Sequence, residues 1–180
     1  MGLSSVSRYY FLNARAGADN YKNINHETNR HLTLNMSTQQ QPNYAYAFTT
    51  SASPNAVFSL LLDIDKWWSG LYAEQTTGKS EHLNDEFTFS AGGGMHYSKQ
   101  KLIELIPDKR IVWLVTESKL TFLQDTNEWA NTKIGFDITS DGAITTVTFT
   151  HEGLVPQIEC YGGCSGAWTK YLDKLKEKLQ

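Results

Sequence analysis

The chain has 180 residues, of which 40% are hydrophobic and 19% are charged, and its formal net charge at pH 7 is −3. This length and composition are typical of one globular domain with a buried core, and they exclude wholesale disorder. The net charge gives no sign of the clustered basic face that binds nucleic acid, so we expect no nucleic-acid partner. No apolar run approaches the roughly 18 residues of a membrane span, so we expect no membrane span.

The N-terminal part of the chain differs from the rest. Residues 1–35 are rich in Asn, Ser, Arg and His, contain no tryptophan and show no sustained periodicity. The apolar run at residues 9–12 is too short for the core of a secretory signal, and an organellar presequence fits the composition only loosely. We favour Met36 as the natural start, with the preceding residues as an upstream extension. We predict a flexible or disordered extension over residues 1–43, followed by one domain over residues 44–180.

The domain begins with a predicted strand and a short helix. Aromatic residues alternate with small ones over residues 44–49, which is the period of a half-buried strand. Ser53 is a good N-cap and Pro54 suits the first position of a helix. Apolar residues spaced along 57–62 then predict one buried helical face.

Two adjacent tryptophans, Trp67 and Trp68, follow this helix. Neighbouring residues do not share a face on a helix or a strand. We therefore expect one ring to pack inward and the other to lie at a surface or at the mouth of a cavity.

The middle of the chain is predicted to be all β. Residues 92–94 are three glycines that interrupt the alternation as a turn or bulge, and residues 140–142 (Ser-Asp-Gly) give a hairpin signal. Residues 111–115 are apolar on both faces, which predicts a central strand. Glu128, just before Trp129, is expected to start a strand, either as a buried polar anchor or as a strand-edge charge. Strands are predicted over residues 86–89, 98–106, 111–115, 132–139 and 145–151.

The sequence ends in a predicted amphipathic helix. Its apolar residues follow the i, i+3, i+4, i+7 spacing of one buried stripe. A stripe of this kind requires a broad apolar surface, which the aromatic-rich strands can provide. The stripe consists of Trp168, Tyr171, Leu172, Leu175 and Leu179.

Two cysteines, Cys160 and Cys164, lie four residues apart at the start of this helix. A secreted disulfide framework normally uses more cysteines, so a reducing, cytoplasmic environment is the simpler expectation. Two small buried thiols are the favoured interpretation. A metal site with His151 lacks an obvious fourth ligand, so we predict no metal.

Several short motifs, in this order, resemble the SRPBCC or START-like superfamily. More narrowly, the chain is similar to small proteins grouped with the activator of heat-shock-protein-90 ATPase homologues. The resemblance covers residues 44–180. The motifs are Ser53-Pro54-x-x-Val57-Phe58, Trp67-Trp68, Leu105-Ile106-Pro107-x-x-Arg110-Ile111-Val112-Trp113, Glu128-Trp129, Thr148-Phe149-Thr150-His151-Glu152-Gly153-Leu154, and Gly166-Ala167-Trp168 with Tyr171, Leu172 and Leu175.

This resemblance implies an α+β helix-grip fold, in which a curved antiparallel β-sheet wraps around a long C-terminal α-helix and a cavity lies between them. Members of the superfamily bind hydrophobic or amphipathic molecules such as lipids and polyketide-like aromatics, and some catalyse cyclisation or dehydration. Co-chaperone activity belongs to larger members with an additional domain. We therefore predict that the protein binds a hydrophobic or aromatic small molecule and uses no cofactor. Whether it forms a homodimer stays open.

The predicted binding site combines aromatic walls with two polar side chains. His151 shares a face with Val147 and Phe149, so it is expected to point between sheet and helix, and either a structural or a general acid–base role is open to it. His96 is expected to be exposed at a rim. No catalytic motif is present. The predicted ligand-binding residues are Trp68, Phe89, Trp113, Trp129, Phe136, Phe149 and Trp168 as walls, with His151 and Tyr161 to orient the ligand.

Two alternatives belong to other classes of function. One is a cyclase- or dehydratase-type enzyme that uses His151 as a base and a second titratable group in the same cavity. The other is a protein-interaction module for a partner such as a chaperone, with an exposed apolar patch that includes Trp67 beside Leu71 and Tyr72.

Overall fold

The computed structural model describes residues 42–180. The extension predicted over residues 1–43 lies outside this range, except for its last two residues. Of these, Asn43 accepts a hydrogen bond from the backbone N–H of Gly153 over 2.9 Å through its side-chain oxygen.

Seven strands and three α-helices make up the described part of the chain. All neighbouring strands are antiparallel, and their order across the sheet is β1-β7-β6-β5-β4-β3-β2. A 3₁₀ turn over Gly92–Gly94 joins β3 to β4. The elements are β1 Tyr44–Thr50, α1 Pro54–Leu62, α2 Ile64–Trp67, β2 Gln75–Gly78, β3 Glu86–Ala91, β4 His96–Ile106, β5 Arg110–Leu120, β6 Lys133–Asp141, β7 Ile144–Glu152 and α3 Tyr161–Lys178.

This architecture confirms the predicted α+β helix-grip fold. Strand β5 occupies the middle of the sheet, as its two apolar faces predict, with Ile111, Val112, Trp113 and Val115 all buried. Helix α3 packs its apolar stripe against the inner face of the sheet. No helix in the described range is long and apolar enough to cross a membrane.

The predicted N-cap of α1 and the predicted β6–β7 hairpin turn are both present. The side chain of Ser53 accepts a hydrogen bond from the N–H of Ala56 over 3.2 Å, and Pro54 opens α1. In the β6–β7 hairpin, Asp141 pairs with Ile144 around Gly142, whose φ of 59° suits glycine.

Two elements differ from the prediction. The edge strand β2 was missed because Gln75–Gly78 is polar and has no apolar alternation to signal a buried face. The strand predicted to start at Glu128 is wrong, since residues 121–132 form a series of turns.

Both tryptophans of the Trp67–Trp68 pair are buried. Their rings stack with centroids 5.7 Å apart, because Trp67 is the last residue of the single-turn helix α2 and Trp68 already leaves it. Trp67 donates its indole N–H to the carbonyl of Leu61 over 2.9 Å and is 1% exposed, so the exposed patch expected around Trp67 is wrong.

The centre of the layer between sheet and helix is solidly packed with aromatic rings. The Trp67 ring lies 5.2 Å from Phe136, and Trp168 lies 4.6 Å from Phe149, measured between centroids. Trp113 lies 6.4 Å from Trp67. The centre of this layer is therefore filled, and a cavity lies towards one end of the helix.

Candidate functional site

A cavity of about 270 Å³ lies between the first half of α3 and one end of the sheet. The ends of β3 and β4, the 3₁₀ turn between them, the turns that follow β5 and the segment after α2 contribute its walls. It opens to solvent. The lining residues are Trp68, Tyr72, Phe89, Ala91, Gly92, Met95, His96, Phe122, Trp129, Gly163, Cys164, Ala167, Trp168 and Tyr171.

Stacked aromatic rings form the inner wall. Trp68 stacks on Phe89 with centroids 4.1 Å apart and planes at 16°, and it lies 4.7 Å from Trp168. Trp129 is nearly parallel to Trp168 at 5.9 Å. Because these rings pack against one another, the wall is rigid and apolar, which are the properties of a preformed ligand site.

Small residues on α3 keep the cavity open, and exposed apolar side chains surround its mouth. Gly163 lines the cavity, and a Cβ built there would meet nothing within 4 Å. At the mouth, Tyr72 is 37% exposed, Phe122 is 51% exposed and Met95 is 54% exposed. Apolar groups gathered at an opening are typical of binding grooves.

His96 belongs to the cavity wall, so its predicted exposure at a rim is wrong. Its ring meets Trp129 edge to face at 4.6 Å and Phe89 at 5.5 Å, and Nε2 lies 3.5 Å from the hydroxyl oxygen of Ser98. Burial lowers the pKa of His96 from 6.5 to about 4, so the ring is neutral near pH 7.

His151 is completely buried and both of its ring nitrogens are paired. Nδ1 accepts the indole N–H of Trp168 over 3.0 Å, so the ring proton lies on Nε2, 2.9 Å from the hydroxyl oxygen of Thr132. That hydroxyl donates in turn to the carbonyl of Trp129 over 2.6 Å. Burial, and secondarily His96, lower the pKa of His151 to about 3. A neutral, fully paired histidine outside the cavity wall cannot exchange a proton with a ligand there, which favours the structural interpretation.

The nine predicted site residues fall into two groups. Trp68, Phe89, Trp129 and Trp168 line the cavity. The others do not, because the central layer is filled around Trp67 and because Tyr161, the first residue of α3, lies outside the wall. This second group is Trp113, Phe136, Phe149, His151 and Tyr161.

Both cysteines are free thiols, and only Cys164 lines the cavity. Cys160 accepts the indole N–H of Trp129 at its sulfur over 3.2 Å. A hydrogen bond with Cys164, together with burial, raises the pKa of the Cys160 thiol, so it stays protonated. Within residues 42–180, no group of three or more His, Cys, Asp and Glu side chains could hold a metal ion.

Two carboxylates fix the loops around the cavity. Glu74 accepts the backbone N–H groups of Gly70, Leu71 and Tyr72 and the hydroxyl of Tyr171, which ties the Tyr72 side of the mouth to α3. Although burial opposes it, these hydrogen bonds hold the pKa of Glu74 below its usual value.

On the opposite wall, Glu128 accepts the backbone N–H groups of Glu159 over 2.7 Å and Cys160 over 2.9 Å. Glu128 is half-buried and binds the Trp129 turn to the start of α3. Of the two roles expected for Glu128, the structure therefore favours the polar anchor, in a turn and half-buried. The role of Glu74 does not follow from local sequence, since it acts on backbone groups.

A second cleft, of about 410 Å³, lies between α2 and β2. Its surface is mainly polar, and Asp63, Asp65 and Glu81 contribute to it. Phe87 is the one aromatic residue that lines it, so it lacks the stacked aromatic wall of the first cavity.

Comparison with known proteins places the fold in context. The family described as "Activator of Hsp90 ATPase homolog 1-like protein" matches residues 51–180. No curated protein sequence matches the chain.

Solved structures resemble the chain at low sequence identity. The Aha1 protein of Colwellia psychrerythraea, whose solution structure is that of a dimer, is 23% identical, with a TM-score of 0.60 over 76% of this chain and 95% of that chain. Protein CV1439 of Chromobacterium violaceum is 16% identical, with a TM-score of 0.57 over 76% and 96% of the two chains. Protein MLL2253 of Mesorhizobium loti is 16% identical, with a TM-score of 0.57 over 74% and 95%. Likeness at this level shows a shared fold.

Proposed function

Because the chain belongs to the activator of Hsp90 ATPase homolog 1-like family, we propose that its domain, residues 44–180, binds a hydrophobic or aromatic small molecule in the cavity beside α3. The observation that carries the proposal is the cavity itself. It combines a rigid aromatic wall, a glycine that keeps the space open and an apolar mouth.

The size of the cavity limits the ligand. An engineered apolar cavity of about 150 Å³ binds benzene, whereas sites for drug-sized molecules span about 300–1,000 Å³. The present cavity, at about 270 Å³, therefore suits a molecule of one or two rings. Such a ligand buries about 150–250 Å² of apolar surface, worth about 4–6 kcal/mol. Ordering costs reduce this gain, so we expect a dissociation constant no lower than about tens of micromolar.

The test is a titration of the isotope-labelled protein with indane, a neutral bicyclic hydrocarbon. Proton–nitrogen correlation spectra should show saturable shifts for Trp68, Trp129 and Gly163. Absence of shifts at the cavity up to the solubility limit of indane would overturn the proposal. Native mass spectrometry of the gently purified protein would identify any molecule that copurifies.

Gly163 and Gly162 offer a matched pair of variants. A leucine at Gly163 projects into the cavity wall and should weaken indane binding at least about tenfold, while Gly162 lies outside the wall and its leucine variant should bind like the wild type. Both changes favour helix formation, so loss of folding is not expected. Equal weakening by both variants would contradict the proposed site.

Self-association is a second candidate function, favoured by the exposed side chains of Tyr72, Met95 and Phe122 at the mouth. The similar Aha1 protein of Colwellia psychrerythraea forms a dimer. A homodimer that covers this mouth should be detected by light scattering after size-exclusion chromatography and should dissociate in the Phe122→Ser variant. A monomeric wild type at about 100 µM, roughly a hundredfold above a micromolar dissociation constant, would exclude it.

The two buried free thiols support a reducing, cytoplasmic location in this proposal.

A further inference from the structure

The indole N–H groups of the five tryptophans differ in one respect. Four of them have an acceptor: the carbonyl of Leu61 for Trp67, the hydroxyl of Ser80 for Trp113, the sulfur of Cys160 for Trp129 and Nδ1 of His151 for Trp168. Within residues 42–180, no acceptor receives the N–H of Trp68, which is only 2% exposed. The one fully buried side-chain atom without a partner in this range is Oε1 of Gln100, so the nitrogen of Trp68 keeps some contact with solvent. A ligand that displaces water from this N–H must offer an acceptor in its place.

Trp68 lies in the wall of the cavity, between two other rings of that wall. It stacks on Phe89 at 4.1 Å and meets Trp168 at 4.7 Å. An indole nitrogen donates a hydrogen bond and cannot accept one. The partner of Trp68 must therefore be a hydrogen-bond acceptor.

His96 is another polar group of the wall with unused hydrogen-bonding capacity. Only Nε2 has a partner, the hydroxyl of Ser98 at 3.5 Å, and Nδ1 has none among the described residues. His96 and Trp68 both contact Phe89, so the two groups lie on the same side of the cavity.

None of the residues that line the cavity is Lys, Arg, Asp or Glu. The ammonium of Lys170 bonds to the hydroxyl of Tyr72 at the mouth. An ionised group deeper in the cavity, beside Trp68, would lose its hydration without a counter-charge.

We propose that the ligand carries a neutral hydrogen-bond acceptor, such as the carbonyl oxygen of an aromatic ketone, and that Trp68 determines this specificity by donating its indole N–H. His96 supplies a second, neutral contact to the same end of the ligand. This inference rests on the proposed function and narrows the class of ligand from any small apolar molecule to one with a carbonyl-type oxygen.

Indane and indanone test the inference because they share one bicyclic frame and differ in a single carbonyl group. Calorimetric titration should give a dissociation constant about threefold to tenfold lower for indanone, which is the range of one neutral hydrogen bond. The indole N–H signal of Trp68 should move downfield with indanone and much less with indane. Indane carboxylate, which has the same frame with an ionised group, should bind more weakly than indanone.

The Trp68→Phe variant keeps an aromatic ring but removes the donor. The preference for indanone should therefore disappear, so that indane and indanone bind with about equal dissociation constants. Trp67→Phe is the matched control: Trp67 is stacked on Trp68, but its N–H is bonded to Leu61 and it does not line the cavity. The control should keep the preference. The wild-type titration decides the question even if a variant fails to fold.

The outcomes separate the two proposals. Equal affinity for indane and indanone, with no selective shift of the Trp68 signal, would overturn the role of Trp68 while leaving ligand binding intact. If neither compound binds, the proposed function fails and this inference fails with it.

Discussion

Trp168 donates its indole N–H to Nδ1 of His151 over 3.0 Å, and this bond joins the closing helix to the last strand of the sheet. Both groups are buried, and neither has access to water. The bond therefore belongs to the framework that supports the cavity, because Trp168 is one of its wall residues.

Replacement of His151 by alanine should strongly destabilise the protein. The variant leaves the N–H of Trp168 and the hydroxyl of Thr132 with one partner fewer and creates a void in the core, so we expect a loss of about 3–5 kcal/mol in the free energy of unfolding. Urea denaturation measures this loss. His82→Ala is the control, because the side chain of His82 is 80% exposed and its removal should change stability by less than about 0.5 kcal/mol. An unchanged stability in His151→Ala would contradict the structural role.

Stability should fall as the pH is lowered from about 6.5 to about 5. The pKa of His151 is about 3 in the folded protein and that of His96 about 4, against 6.5 for ordinary histidine. In this range the unfolded chain therefore binds more protons than the folded one. Each histidine contributes at most about 1.4 kcal/mol per pH unit.

The His151→Gln variant isolates one of these two contributions. Glutamine offers one acceptor for Trp168 and one donor for Thr132, but it does not titrate. Its free energy of unfolding, measured by urea denaturation at a series of pH values, should decline with a smaller slope than that of the wild type. Identical slopes would show that His151 does not remain neutral in the folded protein.

The sequence predicted the sheet well because most of its strands alternate. In β7, Thr145, Val147, Phe149 and His151 are buried as the period of two requires. Strand β4 shows the limit of this approach. Its inward residues include His96, Ser98 and Gln100. Because the buried face carries polar groups, the hydrophobic pattern does not indicate which face of β4 is buried. For this reason the wall position of His96 was missed.

The candidate site was harder to predict than the fold because it depends on which part of the layer is filled. Trp113 and Phe136 point inward as predicted, but Trp67 packs against both and closes that space. The cavity lies where small residues, such as Gly163 and Ala167, replace large ones on α3. Their i, i+4 spacing is present in the sequence, but only contact with the sheet shows that they face an opening.

Glu74→Gln should loosen the mouth of the cavity. The carboxylate of Glu74 accepts three backbone N–H groups and the hydroxyl of Tyr171, and an amide has only one oxygen to replace it. We expect a loss of about 1–3 kcal/mol and faster hydrogen exchange at Gly70, Leu71 and Tyr72, measured by mass spectrometry. Glu81→Gln serves as the control, since the exposed Glu81 does not hold this loop. Equal exchange in both variants would contradict the anchoring role of Glu74.

Glu128→Ala should weaken ligand binding without direct contact with the ligand. Its carboxylate accepts the backbone N–H groups of Glu159 and Cys160. The neighbouring Trp129 donates its indole N–H to the sulfur of Cys160, so the position of Trp129 against the start of α3 depends on Glu128. Loss of these charge-assisted bonds should cost about 1–3 kcal/mol in stability, because Glu128 is only half-buried. It should also free Trp129 to move from its stack on Trp168.

Titration with indane should then give a higher dissociation constant for Glu128→Ala, together with broadening of the Trp129 indole signal. The exposed Glu177, on the last turn of α3, gives the matched Glu177→Ala control, for which affinity should stay at the wild-type value. Unchanged indane affinity and a sharp Trp129 signal in Glu128→Ala would show that the Trp129 wall keeps its place without this carboxylate.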